Sequence, residues 1–288
     1  MRSRTEHRAA RRAAVWRAAG GKGRTLGVAA AAGVVLAAAF VVPGAIGGPA
    51  GAADSSGGTD PTASGAGGEP GAESPVRGGS PDLPAPKVDM AIVRGSEDEG
   101  RTVNLTLDDG PDPRWTPKAL ELLKKYQAKA VFCMTGPNAA AHPELVRRVI
   151  AEGHRLCDHS ISHDTAMDKK PVDHQRKEIL DAKAMIDAAS GGERIWYYRA
   201  PGGAFTPESR QIAASEGMRN LGWNVDPSDY EQPGTERIVK AVKNQLAKGP
   251  TVLMHDGGGN RAQTMEALEQ LLPWFKEQGY AFSFPKAG

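Results

Sequence analysis

The sequence predicts an α/β fold, a distorted (β/α) barrel of about seven strands over residues 87–288. Short apolar runs alternate there with amphipathic stretches, which is the pattern of strands followed by helices. Strict alternation of this kind implies a parallel sheet covered by helices. Ionisable residues recur just after the predicted strands, where the active sites of such folds lie. An open doubly wound sheet is the alternative, and it places the site at the same strand ends.

The predicted elements follow one another without an internal repeat. We predict strands at residues 102–107, 128–134, 154–157, 196–199, 219–223, 251–254 and 280–282. We predict helices at residues 117–126, 143–152, 172–189, 207–216, 236–248 and 262–278. Thr116 is the predicted N-cap of the first helix, because Pro117 suits the first helical position.

Two segments precede the predicted catalytic domain. Residues 1–52 combine a basic stretch with an apolar run from Leu26 to Val42, as an export signal does. This segment is either a cleaved signal peptide or a membrane anchor, and the positive-inside rule leaves its basic end in the cytoplasm. Residues 53–86 are rich in Gly, Pro and Ser and are predicted to be a disordered linker. We therefore expect an exported protein, either secreted or anchored at the outer face of the cytoplasmic membrane or in the cell wall.

The charge of the chain argues against nucleic acid as a partner. The formal net charge is +2, but residues 1–52 hold eight of the 36 Lys and Arg residues and a single acid, Glu6. The remainder is therefore acidic overall. Nucleic-acid binding depends on clustered cations that face phosphates. We expect no nucleic-acid partner, and contact with the membrane only through the N-terminal segment.

Ionisable residues follow five of the predicted strands. They are Asp108 and Asp109, His159 and His163, Arg199, Asp226 and Asp229, and His255. An aspartate pair before Gly-Pro is by itself ordinary turn chemistry, and two histidines four residues apart share a face only if their segment is helical. Two histidines with a carboxylate from elsewhere are, however, a recognised ligand set for catalytic zinc. The joint arrangement at the strand ends therefore predicts a catalytic metal site.

Five motifs in this region resemble those of the polysaccharide deacetylase family, which has the NodB homology domain. They are TLDDGPD, HSISH, RAPGG, DPSDY and LMH, in the order of the family. The resemblance implies a metal-dependent hydrolase that removes N-acetyl groups from GlcNAc residues of a cell-wall or chitin-like polysaccharide and releases acetate. O-deacetylation of acetylated xylan and an inactive carbohydrate-binding module are the alternatives. We expect the polysaccharide as the partner and a monomeric protein.

The resemblance also implies how the chemistry is divided. Asp109, His159 and His163 are expected to hold one divalent metal, with zinc as the first choice and cobalt or another divalent ion as alternatives. Asp108 is the expected general base, and His255 is the expected general acid that protonates the departing amine.

Further residues have supporting roles in the family. By this resemblance Arg199 orients the base, Asp229 tunes the general acid, and the backbone N–H of Gly202 stabilises the oxyanion. The substrate pocket is expected to be lined by Pro201, Tyr230 and Leu253. Gly202 and Tyr230 stand where the family usually has Tyr and Trp. These two departures leave the catalytic groups intact, but the resemblance does not define the substrate preference.

The two cysteines, Cys133 and Cys157, fall in neighbouring predicted strands. Export allows a disulfide between them, and such a bond would stiffen the loop that carries His159. Two buried free thiols are the alternative. Two cysteines are too few for a structural zinc site of the usual kind.

Overall fold

The computed structural model describes residues 82–288, which contain the whole predicted catalytic domain. The predicted signal or anchor at 1–52 and nearly all of the predicted linker at 53–86 lie outside the described residues. Within the described part, no helix combines the length and the apolar character that crossing a bilayer requires. Leu83, shortly before the predicted start of the domain, is buried in the main core. Packing therefore begins in the last residues of the predicted linker.

A parallel sheet forms the centre of the described residues. The strands are β1 (Ile92–Val93), β2 (Thr102–Asp108), β3 (Ala130–Met134), β4 (Arg155–Asp158), β5 (Ile195–Tyr198), β6 (Arg219–Leu221), β7 (Thr251–His255) and β8 (Ala281–Phe282). Seven of them follow the order β1-β6-β5-β4-β3-β2-β7, and β8 pairs with β2. Val225, just after β6, bridges to Val252 of β7, which joins the two sides of the sheet. The predicted distorted (β/α) barrel is confirmed.

Helices follow the strands and pack on the outer face of the sheet. They are α1 (Thr116–Tyr126), α2 (Gly136–Ala141), α3 (Pro143–Ala151), α4 (Val172–Ser190), α5 (Pro207–Ser215), α6 (Thr235–Gln245) and α7 (Ala262–Glu277). Leu107 of β2 packs in the main core with Leu120 of α1 and Leu271 of α7. A smaller cluster on the inner face includes Val131 of β3 and Tyr197 of β5. The alternation of strand side chains thus divides the core into two layers.

One local prediction was wrong, and two short elements were not predicted. Thr116 does not cap α1, because its hydroxyl accepts a hydrogen bond from the Asp112 N–H at 2.8 Å and donates to the Asp256 carboxylate at 2.5 Å. The short helix α2 and the two-residue strand β1 were not predicted. Neither is long enough to show a helical or alternating pattern in the sequence.

The structure contains a disulfide between β3 and β4. Cys133 and Cys157 are register partners of the two strands, and their sulfur atoms are bonded. Both residues are fully buried in the inner cluster. Since β4 ends one residue before His159, the bond fixes the base of the loop that carries the two predicted histidine ligands.

Removing the disulfide should lower stability. We expect the variant Cys133→Ala/Cys157→Ala to lose about 3 kcal/mol in the free energy of unfolding. Without the disulfide, the unfolded chain regains the conformational entropy that the closed loop had removed. Urea unfolding of the oxidised wild type and of the double variant measures the difference, and the reduced wild type is the control for cavity effects. An equal midpoint for all three proteins would contradict the prediction.

Candidate active site

A cleft of about 690 Å³ lies at the C-terminal ends of the parallel strands. Most of the predicted site residues line it, namely Asp108, Asp109, His159, His163, Arg199, Gly202, Tyr230, Leu253 and His255. Asp229 is buried behind the cleft against His255. Pro201 was also predicted to line the pocket, and it is not among the residues that line the cleft. Its ring is buried at the start of a single 3₁₀ turn, residues 201–203, so it shapes the backbone at Gly202 instead.

The three predicted metal ligands lie together at one end of the cleft. One ligand atom each from Asp109, His159 and His163 lies within 4.8 Å of the other two. Asp109 Oδ1 is 3.2 Å from Nε2 of His163 and 3.6 Å from Nε2 of His159. The two histidines belong to a loop after β4 and not to a helix, so their approach depends on that loop and not on helical spacing.

The donor atoms of this cluster fit a divalent metal. Among the described residues, Asp109 Oδ1 is buried without a hydrogen-bond partner. The Nδ1 of His159 lies 2.7 Å from the carbonyl oxygen of Arg199, so it carries the hydrogen and leaves the lone pair on Nε2 facing Asp109. Burial lowers the pKa of His159 to about 3, which keeps the ring neutral at pH 7. An unpartnered carboxylate oxygen beside a neutral imidazole nitrogen is what a catalytic metal requires.

The histidine loop is held by carboxylates that sequence reasoning missed. Glu178 of α4 accepts hydrogen bonds from the N–H groups of Ile161 and Ser162 at 3.1 and 2.8 Å. Asp158, the last residue of β4, accepts one from the N–H of Ser160 at 2.8 Å. Glu178 sits in a long helix among other charged residues, so its pattern in the sequence is that of a solvated face.

Arg199 and Asp108 form a buried ion pair at the floor of the cleft. Nη1 of Arg199 donates to Asp108 Oδ1 at 2.6 Å and to the Thr106 hydroxyl at 2.8 Å. The other nitrogens donate to the carbonyl oxygens of Leu221 and Gly222. Burial raises the pKa of Asp108 above its usual range, and the Arg199 charge opposes that shift. The second oxygen of Asp108 lies 3.6 Å from His159 Nε2 and faces the cleft.

His255 is paired with Asp229 on the other side of the cleft. Its Nδ1 lies 2.8 Å from Asp229 Oδ1, and its backbone N–H donates to Asp229 Oδ2. The Thr264 hydroxyl also donates to that second oxygen at 2.8 Å. Burial acts to lower the pKa of His255, but the hydrogen bond and charge of Asp229 outweigh it and raise the pKa. The Nε2 atom is thereby available to give up a proton in the cleft.

Aromatic rings line the cleft beside these groups. Tyr230 is 45% exposed, and its ring meets that of His255 edge to face at 5.4 Å. Gly202 has a φ of 58°, and a Cβ added to Gly203 would lie 3.0 Å from the Trp223 ring. Trp223, which sequence reasoning did not single out, therefore packs against Gly203 and lines the cleft there.

Sequence reasoning also missed three polar residues close to the three predicted metal ligands. Asn138 and Arg261 line the cleft, and Arg261 Nη2 lies 3.9 Å from Asp109 Oδ2. Asp256 is fully buried, and burial raises its pKa to about 7. None of the three lies in a recognisable ligand spacing. Only the position of Asp256 directly after His255, at a predicted strand end, gave a signal that it belongs to the site.

Comparison with known proteins gives the same family over most of the domain. The model of the polysaccharide deacetylase family matches residues 95–221. A peptidoglycan-N-acetylglucosamine deacetylase of Bacillus cereus is 36% identical over 184 residues, which are 63% of this chain and 85% of the relative. A chitooligosaccharide deacetylase of Bradyrhizobium sp. is 35% identical over 191 residues, 62% of this chain and 87% of the relative.

A solved structure has the same fold. It is that of a CE4 family pseudoenzyme from Bacillus anthracis, which superposes with a TM-score of 0.61 at 26% identity. The match covers 67% of this chain and 66% of the other. Together with the sequence relatives and the arrangement of the cleft, this match leads to one conclusion: the chain belongs to the polysaccharide deacetylase family.

Proposed function

We propose that this protein is a metal-dependent hydrolase that removes N-acetyl groups from GlcNAc residues of a cell-wall or chitin-like polysaccharide and releases acetate. The observation that carries the proposal is the convergence of a carboxylate base, a histidine acid and a cluster of three metal ligands in one cleft. The names of the two relatives, one acting on peptidoglycan and one on chitooligosaccharide, support an acetamido sugar as the substrate.

Asp109, His159 and His163 are the residues that would hold the metal. Two imidazoles and one carboxylate form a donor set of catalytic zinc sites, and cobalt or another divalent ion can take the same set. When bound, the ion would polarise the acetamide carbonyl and acidify the attacking water. With three protein ligands, the site retains open positions for water and substrate.

Asp108 acts in this proposal as the general base. Arg199 engages Oδ1, so Oδ2 is the atom that faces the cleft and accepts the proton of the attacking water. The raised pKa of Asp108 makes its carboxylate a stronger base than an exposed aspartate would be. Gly202 lines the cleft, and in this proposal its backbone N–H would donate to the developing oxyanion.

His255 completes the reaction by protonating the departing amine from Nε2. Asp229 holds Nδ1, and its hydrogen bond and charge raise the pKa of His255, which favours the charged ring that donates the proton. Tyr230 and Leu253 line the adjacent wall and would enclose the acetyl methyl group. Because Asp108 and His255 are both present and both face the cleft, the proposal favours an active enzyme over an inactive carbohydrate-binding module.

We also propose that the enzyme works outside the cytoplasm. The basic segment and the apolar run of residues 1–52 support export, followed by secretion or by anchoring at the outer face of the cytoplasmic membrane or in the cell wall. The Gly/Pro/Ser-rich residues 53–86 would let the catalytic domain reach the cell wall. A polysaccharide in the wall is then within reach, whereas a cytoplasmic substrate is not.

Acetate release tests the proposed reaction and its substrate. We expect chitin oligomers or peptidoglycan to give acetate in a reaction that a chelator stops and added zinc restores. Acetylxylan is the comparison substrate, and preferential release from it would move the assignment to O-deacetylation. No chelator-sensitive release from any of the three would refute the proposal.

The variant Asp108→Asn tests the division between base and ligand. It should lower kcat by at least about 100-fold, because the amide cannot accept the proton of water. Zinc affinity should be retained, since Asp109 and not Asp108 belongs to the ligand cluster. The matched variant Asp109→Asn should lose zinc. Loss of zinc in Asp108→Asn alone would show that the two aspartates have exchanged roles.

The pH profile of kcat/KM tests the role of Asp229. His255 must be protonated to act as an acid, so activity falls as pH rises through its pKa. Asp229 raises that pKa, and Asp229→Asn should therefore move the alkaline limb to lower pH. Thr264→Val is the control, because it removes a hydrogen bond to Asp229 but leaves the charge in place. An alkaline limb that stays where it is in Asp229→Asn would contradict the assigned role.

A further inference from the structure

The direction of the Asp109 side chain is unusual for its place in the chain. In β2, Leu107 packs outward against the helices, whereas Asp108 faces inward and pairs with Arg199. Since strand side chains alternate, Asp109 would point outward if the strand simply continued. Its φ is instead 71°, in the left-handed region that a residue with a Cβ adopts at a cost. This conformation turns its carboxylate back to His163.

Asp256 occupies the outer side of this turn. Its carboxylate is fully buried and accepts a hydrogen bond from the Thr116 hydroxyl at 2.5 Å. A Cβ added to Gly110 would lie 2.6 Å from both carboxylate oxygens. The segment after Asp109 therefore cannot move outward without displacing Asp256. The backbone N–H of Asp256 also donates to the Asp108 carbonyl at 3.1 Å, which ties β7 to the same turn.

Asn138 holds the turn from the cleft side. Its Nδ2 donates to the carbonyl oxygen of Asp109 at 2.8 Å. The N–H of Thr135 donates to the next carbonyl oxygen, that of Gly110, at 3.1 Å. Both carbonyl oxygens of the strained turn are thus engaged, one by a side chain at the start of α2.

We propose that Asn138 and Asp256 are positioning residues that hold Asp109 in its left-handed conformation and so aim its carboxylate at the two histidines. This inference rests on the proposed function, because it concerns the metal site of that enzyme. Among the described residues, the second oxygen of Asp256 is buried without a hydrogen-bond partner. An unsatisfied buried oxygen costs stability, so a role in the stability of the fold alone does not explain this carboxylate.

Zinc affinity of the metal-free protein tests the inference. Asn138→Ala and Asp256→Ala should each weaken zinc binding by about 10–100-fold, the effect expected when a partner that orients a metal ligand is lost. Asp256→Asn keeps an acceptor for Thr116 and should retain most of the affinity. Competition with a chromophoric chelator gives the dissociation constant, and thermal unfolding shows that each variant is folded.

Asn220→Ala is the matched control. Asn220 is a buried asparagine of β6 whose Nδ2 also donates to backbone carbonyl oxygens, those of Met90 and Arg210, away from the metal cluster. This variant should lose stability but keep its zinc affinity. If Asp256→Ala does not fold, Asn138→Ala alone decides the result.

Three results would overturn the inference. One is an unchanged zinc affinity in folded Asn138→Ala, and another is an equal loss in Asn220→Ala. The third is a wild type that binds no zinc, which would overturn the proposed function as well. A wild type that binds zinc but releases no acetate would defeat the proposed function alone, because the zinc measurement on Asn138→Ala would still decide the positioning role.

Discussion

The arrangement of the site depends on the buried ion pair between the guanidinium of Arg199 and the carboxylate of Asp108. A fully buried charge is stable only if it is paired and its hydrogen-bond donors are satisfied. Here Asp108 supplies the opposite charge, and two carbonyl oxygens after or within β6 accept further hydrogen bonds. The carbonyl oxygen of Arg199 in turn fixes the ring of His159. The side chain of Arg199 therefore orients Asp108, the proposed base, and its carbonyl oxygen orients His159, a proposed metal ligand.

The register of β2 and β7 sets the distance between the proposed general base and the proposed general acid. Asp108 and His255 are register partners at the C-terminal ends of these neighbouring strands. Both face inward, whereas the residues that follow them would alternate outward. Asp256 follows that rule and packs against α1, but Asp109 breaks it through its left-handed backbone. Asp108 and Asp109, the proposed base and the proposed metal ligand, can therefore be adjacent in sequence and still share one cleft.

The sequence predicts the strand ends well, because ionisable residues in those places have no role in an ordinary barrel core. The fold class, the presence of Asp108 and His255 in one cleft and the grouping of three ligand residues all follow from that pattern. The residues that support the site do not follow from that pattern. Glu178 and Asn138 form hydrogen bonds with backbone groups that are distant in the chain, so no sequence spacing indicates them. The prediction that Thr116 caps α1 is wrong because its hydroxyl makes a tertiary contact with Asp256, which no local sequence pattern indicates.

Gly202 and Tyr230 can be recognised from the sequence as departures from the family motifs, but the residues that surround them in space cannot be predicted from it. Thr165 lies against Gly202 and Trp223 against Gly203, and these contacts depend on the three-dimensional path of the loops. The central proposal is that Asp109, His159 and His163 hold one metal ion. Anomalous diffraction at the zinc edge from crystals of the zinc-loaded protein tests it most directly. We expect one peak at about 2.0–2.2 Å from Asp109 Oδ1 and from Nε2 of His159 and His163. A peak held by other residues, or none in the cleft, would contradict it.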